Sequence, residues 1–117
     1  MFTTTARVVR AAALADGELE PAPLDPAQVV SGEPEVRHLG LHEGDSLAVG
    51  IWQHSAGVST DVEADEVFVV LSGRATVVVI DGPTLELGPG DVGLLPAGAR
   101  TTWTVHESLR KIYVVRP

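Results

Sequence analysis

Cysteine is absent from the 117 residues. Its absence removes disulfides, thiolate zinc sites and cysteine nucleophiles together. Positive charge is scarce: 8 Lys and Arg stand against 16 Asp and Glu, for a formal net charge of −8. That sign repels phosphate backbones and anionic lipid surfaces, so neither a nucleic-acid nor a membrane partner is expected. No apolar run approaches the ~20 residues of a membrane-spanning helix. A secretory signal pattern is missing too. Arg7 and Arg10 lead only into Ala11-Ala12-Ala13-Leu14, which Asp16 and Gly17 break, and a cytoplasmic location is the expectation. Helical periodicity is missing after residue 30, and there are no internal repeats or low-complexity tracts.

What is present is enough apolar sequence, 44%, for one domain with a single core. The stretch 66–98 sets the pattern, with short apolar segments alternating with turn signals. Residues 66–71 and 74–80 read as a hairpin through Ser72-Gly73. Asp81-Gly82 is a hairpin-turn dipeptide, and residues 84–87 and 92–95 follow around Gly88-Pro89-Gly90. Upstream, residues 36–41 and 47–54 read as strands, and 58–65 as a polar loop or strand edge. Downstream, 100–106 and 110–115 complete the set. Roughly eight short strands at this spacing predict a sandwich or barrel. Several are continuously apolar, so both of their faces should be covered. Residues 5–15 fit a short helix, and residues 3–9 fit an edge strand equally well. Pro21, Pro23 and Pro26 favour an extended path. Residues 1–23 are therefore an N-terminal extension that wraps the domain or reaches a partner subunit, with a loosely ordered tail as the alternative, and residues 24–117 are the barrel.

At Gly90, Pro96 and Gly98 the chain resembles the cupins. Their second motif is a glycine, five residues, Pro-x-Gly, two residues and a histidine. Here Thr101 stands in the histidine place. Their first motif ends in a glutamate, six residues and a glycine, which Glu66 and Gly73 match. The two histidines expected before that glutamate are replaced by Thr60 and Val62, or by Ser59 and Asp61 in the alternative spacing. More narrowly, Gly50-Ile51-Trp52, Leu71-Ser72-Gly73, Leu87-Gly88-Pro89-Gly90-Asp91, Thr102-Trp103 and Arg110-Lys111-Ile112-Tyr113-Val114 are similar to the small cupin group known as domain of unknown function 861. That group includes ureidoglycine aminohydrolases and the ethanolamine-utilisation Q protein. The resemblance covers residues 24–117. It implies an all-β fold, the cupin-type jelly-roll β-barrel (double-stranded β-helix), and a homodimer. The family's metal site, which takes a divalent metal (Mn, Fe, Zn or Ni), is degenerate here, with Glu66 alone retained as a ligand candidate, so a metal-free or weakly metal-binding protein is the expectation.

Among polar residues, Asp61, Glu63, Asp65 and Glu66 stand out. On a strand, 61, 63 and 65 share one face and Glu66 takes the other. If Glu66 faces the barrel, Phe68 and Val70 do too, and a carboxylate there can act as general acid or base; the alternative for Glu66 is a place on a solvated acidic edge. The other three read as a solvated acidic edge. Trp52, His54, Thr101 and Trp103 are the candidate ligand-binding walls. For each the bland alternative is a core aromatic, a solvated strand-end histidine or a plain strand residue. Arg100 either meets an anionic ligand or is a solvated strand residue. His38 and His42 read as surface residues, and His106, before an expected turn at Glu107-Ser108, carries no role. No serine and histidine are spaced as a nucleophile with its base. The expected function is binding of a small polar metabolite inside the barrel. The alternatives are a hydrolase or isomerase that uses Glu66, and a structural protein with a filled barrel.

Overall fold

The computed structural model describes residue 2 and residues 4–117. Nine strands make one antiparallel sheet among them: β1 (Glu20–Pro21), β2 (Val29–Ser31), β3 (Val36–Glu43), β4 (Ala48–His54), β5 (Gly57–Val62), β6 (Asp65–Val79), β7 (Thr84–Leu87), β8 (Val92–Leu95) and β9 (Arg100–Arg116). Two long strands carry the design. The first half of β6 and the second half of β9 run with β8 on one side and β4, β3 and β1 on the other. The second half of β6 and the first half of β9 run with β7 on one side and β5 and β2 on the other. One long bent ladder thus belongs to both walls of the all-β jelly roll.

The length of β6 and β9 departs from expectation. Ser72-Gly73 does not make a hairpin. Both halves of β6 pair with β9 instead, through register shifts between Val70 and Ala75. Gly73 permits this because its φ is +88° and a Cβ there would collide with the Ser108 carbonyl. Glycine allows the chain to bend at the crossing without reversing. Residues 107–109 are likewise inside β9 and not a turn. The region expected to be a loop or strand edge is β5, paired with β9 and β2. By contrast, Asp81-Gly82 does turn the chain between β6 and β7, with Asp81 at φ 62°.

The N-terminal segment forms two 3₁₀ turns, Ala11–Ala13 and Asp16–Glu18, and then β1. Residues 4–9 form neither helix nor strand, and Thr3 of the expected edge strand lies outside the described residues. Ala11 and Leu19 pack on Ile51, with Leu39, Leu71 and Ile112 around them, so this segment covers the outer face of one wall. The opposite face of that wall and the second wall enclose the main core. Phe68, Val70, Ala75, Val77, Leu95, Trp103, Val105 and Leu109 are buried there. At ~1.5–3 kcal/mol for each large apolar side chain, this cluster dominates the apolar driving force. Gly93 lies opposite Phe68 in the ladder, and a Cβ at 93 would strike the ring. Its absence makes room for Phe68 beneath the cavity described next.

Candidate functional site

Strand alternation aims a second set of side chains at the same interior. On the first wall, Trp52 of β4 and Val70 of β6 flank Lys111 of β9, and Phe68 pairs with Tyr113. On the second wall, Ser59 of β5 and Val77 of β6 flank Trp103 of β9. Between the walls lies a cavity of about 230 Å³, bordered by Trp52, Trp103, Asp61, Glu63, Glu66 and Lys111. Lys111 is its centre of charge. Its Nζ sits 4.5 Å from the ring centres of Trp52 and Phe68 and 4.7 Å from that of Trp103. It donates to Glu66 Oε2 at 2.7 Å, with only 6% of the lysine and 10% of the glutamate side chain accessible. Three π faces and one carboxylate replace the water this ammonium loses.

The opposite wall carries two more carboxylates. Glu63 Oε1 accepts from Thr101 Oγ1 at 2.8 Å and from Trp103 Nε1 at 3.2 Å. Asp61, at the rim, accepts from the Val62 N–H. Burial raises the Asp61 carboxyl above its ordinary 3.8, and the neighbouring charge of Glu63 adds to the rise. Burial also raises the Tyr113 phenol above 10.0, with Glu43 and Glu66 contributing.

A family model described as the EutQ-like cupin domain matches residues 41–113, more than half of the chain. The chain belongs to the EutQ-like cupin family. Solved structures agree in fold. The Clostridium difficile EutQ protein is 18% identical, with a TM-score of 0.65 over 82% of this chain and 81% of that one, a likeness of fold alone. A protein assigned as ethanolamine utilization protein Q from Salmonella typhimurium LT2 is 29% identical, with a TM-score of 0.62 over 71% of this chain and 70% of that one. A DUF861 family protein of unknown function from Pseudomonas syringae pv. tomato DC3000 is 27% identical, with a TM-score of 0.74. It is matched over 83% of this chain but 43% of its own length. No curated protein matches the chain.

Within this EutQ-like cupin the candidate residues fall as follows. Glu66 faces the interior with Phe68 and Val70, in the register expected. Trp52 and Trp103 border the cavity, their ring centres 5.5 Å apart. Thr101 is buried against Glu63 and supports that carboxylate from behind. His54 is fully buried, not a solvated strand-end residue, and it does not border the cavity itself. It bonds Ser59, which does. Glu63 is also buried, against the expectation of a solvated acidic edge. The shared face of 61 and 63 was legible, but β5 turns it inward, so it opposes Glu66 across the barrel. Asp65 stays exposed and accepts from the Ala97 N–H. Arg100 is exposed, and His106 bonds Thr76 at the surface.

Lys111 escaped the sequence reading. Its signal was a lysine in an otherwise apolar strand segment beside the aromatic positions, and nothing in the spacing told which face it took.

The divalent metal that the cupin pattern implies does not fit these residues. Glu66 is paired to an ammonium, which offers donors and no lone pair. Thr101 is committed to Glu63. Among the described residues no group of three or more His, Asp or Glu side chains is placed to hold a metal ion. The donor set lacks the imidazoles that transition metals favour.

Proposed function

We propose that the barrel binds a small polar metabolite, and that the Glu66–Lys111 pair orients it where other cupins place a metal. The observation that carries this reading is the Lys111 ammonium, held by three aromatic faces and one carboxylate at the wall of an accessible cavity. A filled structural barrel has no need of a buried ion pair, which apolar side chains of similar volume replace without loss. The volume falls below the ~300–1,000 Å³ of pockets for drug-sized ligands, so the occupant is a small metabolite with few polar groups. Aromatic walls supply contact area, and the ion pair with Glu63 and Asp61 supplies orientation.

A thermal-shift screen of small ureides, carboxylic acids and sugars tests this. A ligand at 100 times its Kd adds about 2.7 kcal/mol to the folded state. At least one compound should raise the melting temperature of the wild type and leave a Glu66→Gln/Lys111→Met double variant unshifted. If no compound does so, the binding reading fails.

The protein would work as a cytoplasmic homodimer. Val67, Val69, Val92 and Leu94 form an exposed apolar patch, with Val67 opposite Leu94 and Val69 opposite Val92. A chain of net charge −8 can approach its own copy most easily at such an uncharged face. Sedimentation velocity should give a dimer mass at micromolar concentration. A monomer mass that does not change with concentration refutes it.

A further inference from the structure

The binding site around the ion pair leaves the buried imidazole of His54 unused. His54 ends β4 and Ser59 lies inside β5, five residues on, across the Ser55-Ala56-Gly57 break. His54 has no exposure to solvent, yet both ring nitrogens are engaged. Nδ1 lies 2.6 Å from the Ser55 carbonyl oxygen, and Nε2 lies 2.8 Å from Ser59 Oγ. A carbonyl only accepts, so Nδ1 carries the proton and Nε2 of the neutral ring is an acceptor. The Ser59 hydroxyl must therefore donate to Nε2. That is a nucleophile hydrogen-bonded to a base, with the base oriented by a third group. Ser59 is itself 4% exposed, but it borders the cavity. It sits on a strand paired on both sides, with Trp103 and Val29 as its ladder neighbours, so its position is rigid.

We propose that Ser59 and His54 are a nucleophile–base dyad opening on the barrel cavity, and that the protein hydrolyses small esters through an acyl-serine. The reaction site is the cavity of the binding reading above, and the proposal rests on that reading. Ser59 Oγ bonds to the ester carbonyl carbon while its proton passes to His54 Nε2. The resulting oxyanion collapses, the C–O bond to the alcohol breaks, and the leaving alkoxide takes the proton back from His54. Water then attacks the acyl-serine. His54 accepts its proton and returns it to Ser59 Oγ as the carboxylic acid departs. Ester and water become acid and alcohol, and the dyad is restored. Lys111, the cation of the same cavity, offsets the charge of the oxyanion in a site shielded from bulk water. The cavity volume limits the acyl group and alcohol to short chains.

His54 must be neutral to act as the base. Burial lowers its pKa below 6.5, and the Lys111 charge lowers it further, against the opposing pull of the Ser55 carbonyl. The other charged groups bordering this space are Asp61 and Glu63 beside β5 and Glu66 on β6. Acylation should therefore rise with pH through a midpoint below 6.5 and level off near neutrality.

The experiment uses 4-nitrophenyl acetate and diisopropyl fluorophosphate on the full chain, read by intact and peptide mass spectrometry. The expected result is one acyl or phosphoryl group on Ser59, and a loss of about 100-fold or more in ester hydrolysis in Ser59→Ala. Should that variant fold poorly by near-UV circular dichroism, Ser59→Cys serves. It introduces a lone thiol into a cysteine-free chain, and iodoacetamide should alkylate it faster at neutral pH than in a Ser59→Cys/His54→Phe double variant, because the imidazole favours the thiolate. Absence of label on Ser59 with both reagents overturns the proposal. If a compound still shifts the melting temperature in the screen, the dyad alone is refuted and the binding reading stands. If nothing binds and nothing labels, both fall.

Discussion

Replacing Lys111 by methionine should destabilise the protein by about 3–5 kcal/mol, the usual consequence of stranding one member of a buried ion pair. Methionine fills nearly the same volume among Trp52, Phe68 and Trp103, so packing is not what is lost. What remains is the Glu66 carboxylate, 10% accessible, without the ammonium 2.7 Å away. Attraction to the three rings adds to the deficit, at about 0.5–2 kcal/mol for a desolvated cation over an aromatic face. The companion variant separates these terms. Glu66→Gln/Lys111→Met removes both charges and should recover most of the loss, because neutral replacement of a whole buried pair is often without penalty. Urea unfolding of the four proteins of this cycle at neutral pH gives the coupling directly. A loss under about 1 kcal/mol for Lys111→Met would place the pair in the class of solvated surface bridges and would remove the basis for reading it as a buried anchor.

The features visible in the sequence were those that depend on neighbours along the chain. Asp81-Gly82 turns β6 into β7, and Gly88-Pro89-Gly90 separates β7 from β8, because each needs only local backbone freedom. The register of Glu66 with Phe68 and Val70 follows from strand alternation. The missed features depend on distant partners. Ser72-Gly73 has the composition of a turn. It became a bend because β9 holds both halves of β6, a pairing with residues 101–116 that no local rule contains. Glu63 was placed outside because carboxylates are mostly solvated. Its burial is made tolerable by Thr101 and Trp103, 38 and 40 residues away. His54 and Ser59 are close in sequence, but both face inward only because β4 and β5 pair end to end along the same side of β9. The inward direction of both had to be known before the pair could be recognised.

Arg110 carries the second large expectation, and it concerns the N-terminal segment and not the cavity. Arg110→Met should cost about 3 kcal/mol and release the residues before β1 from the barrel. Its guanidinium is 6% accessible and ties three pieces of chain together. Nε donates to Gln53 Oε1 at 2.8 Å, Nη1 to the carbonyls of Ala11 and Leu14 at 3.0 and 2.7 Å, and Nη2 to Asp16 Oδ1 at 3.3 Å. The ion pair is the minor part, because the Asp16 side chain is 74% accessible and solvent screens it. The carbonyls decide the size of the effect. Methionine cannot donate to them, and each buried acceptor left unsatisfied costs about 1–3 kcal/mol. The loosened segment also withdraws Ala11 and Leu19 from Ile51, opening the outer face of the wall to water. Trypsin should then cut at Arg7 and Arg10 much faster than in the wild type, under conditions where the barrel stays intact. Arg110→Lys retains the charge without the planar fork that reaches Gln53 and the carbonyls together. It should therefore resemble methionine more than arginine in protease sensitivity. Equal protection of the lysine variant and the wild type would mean that charge, and not the fork, fastens the segment.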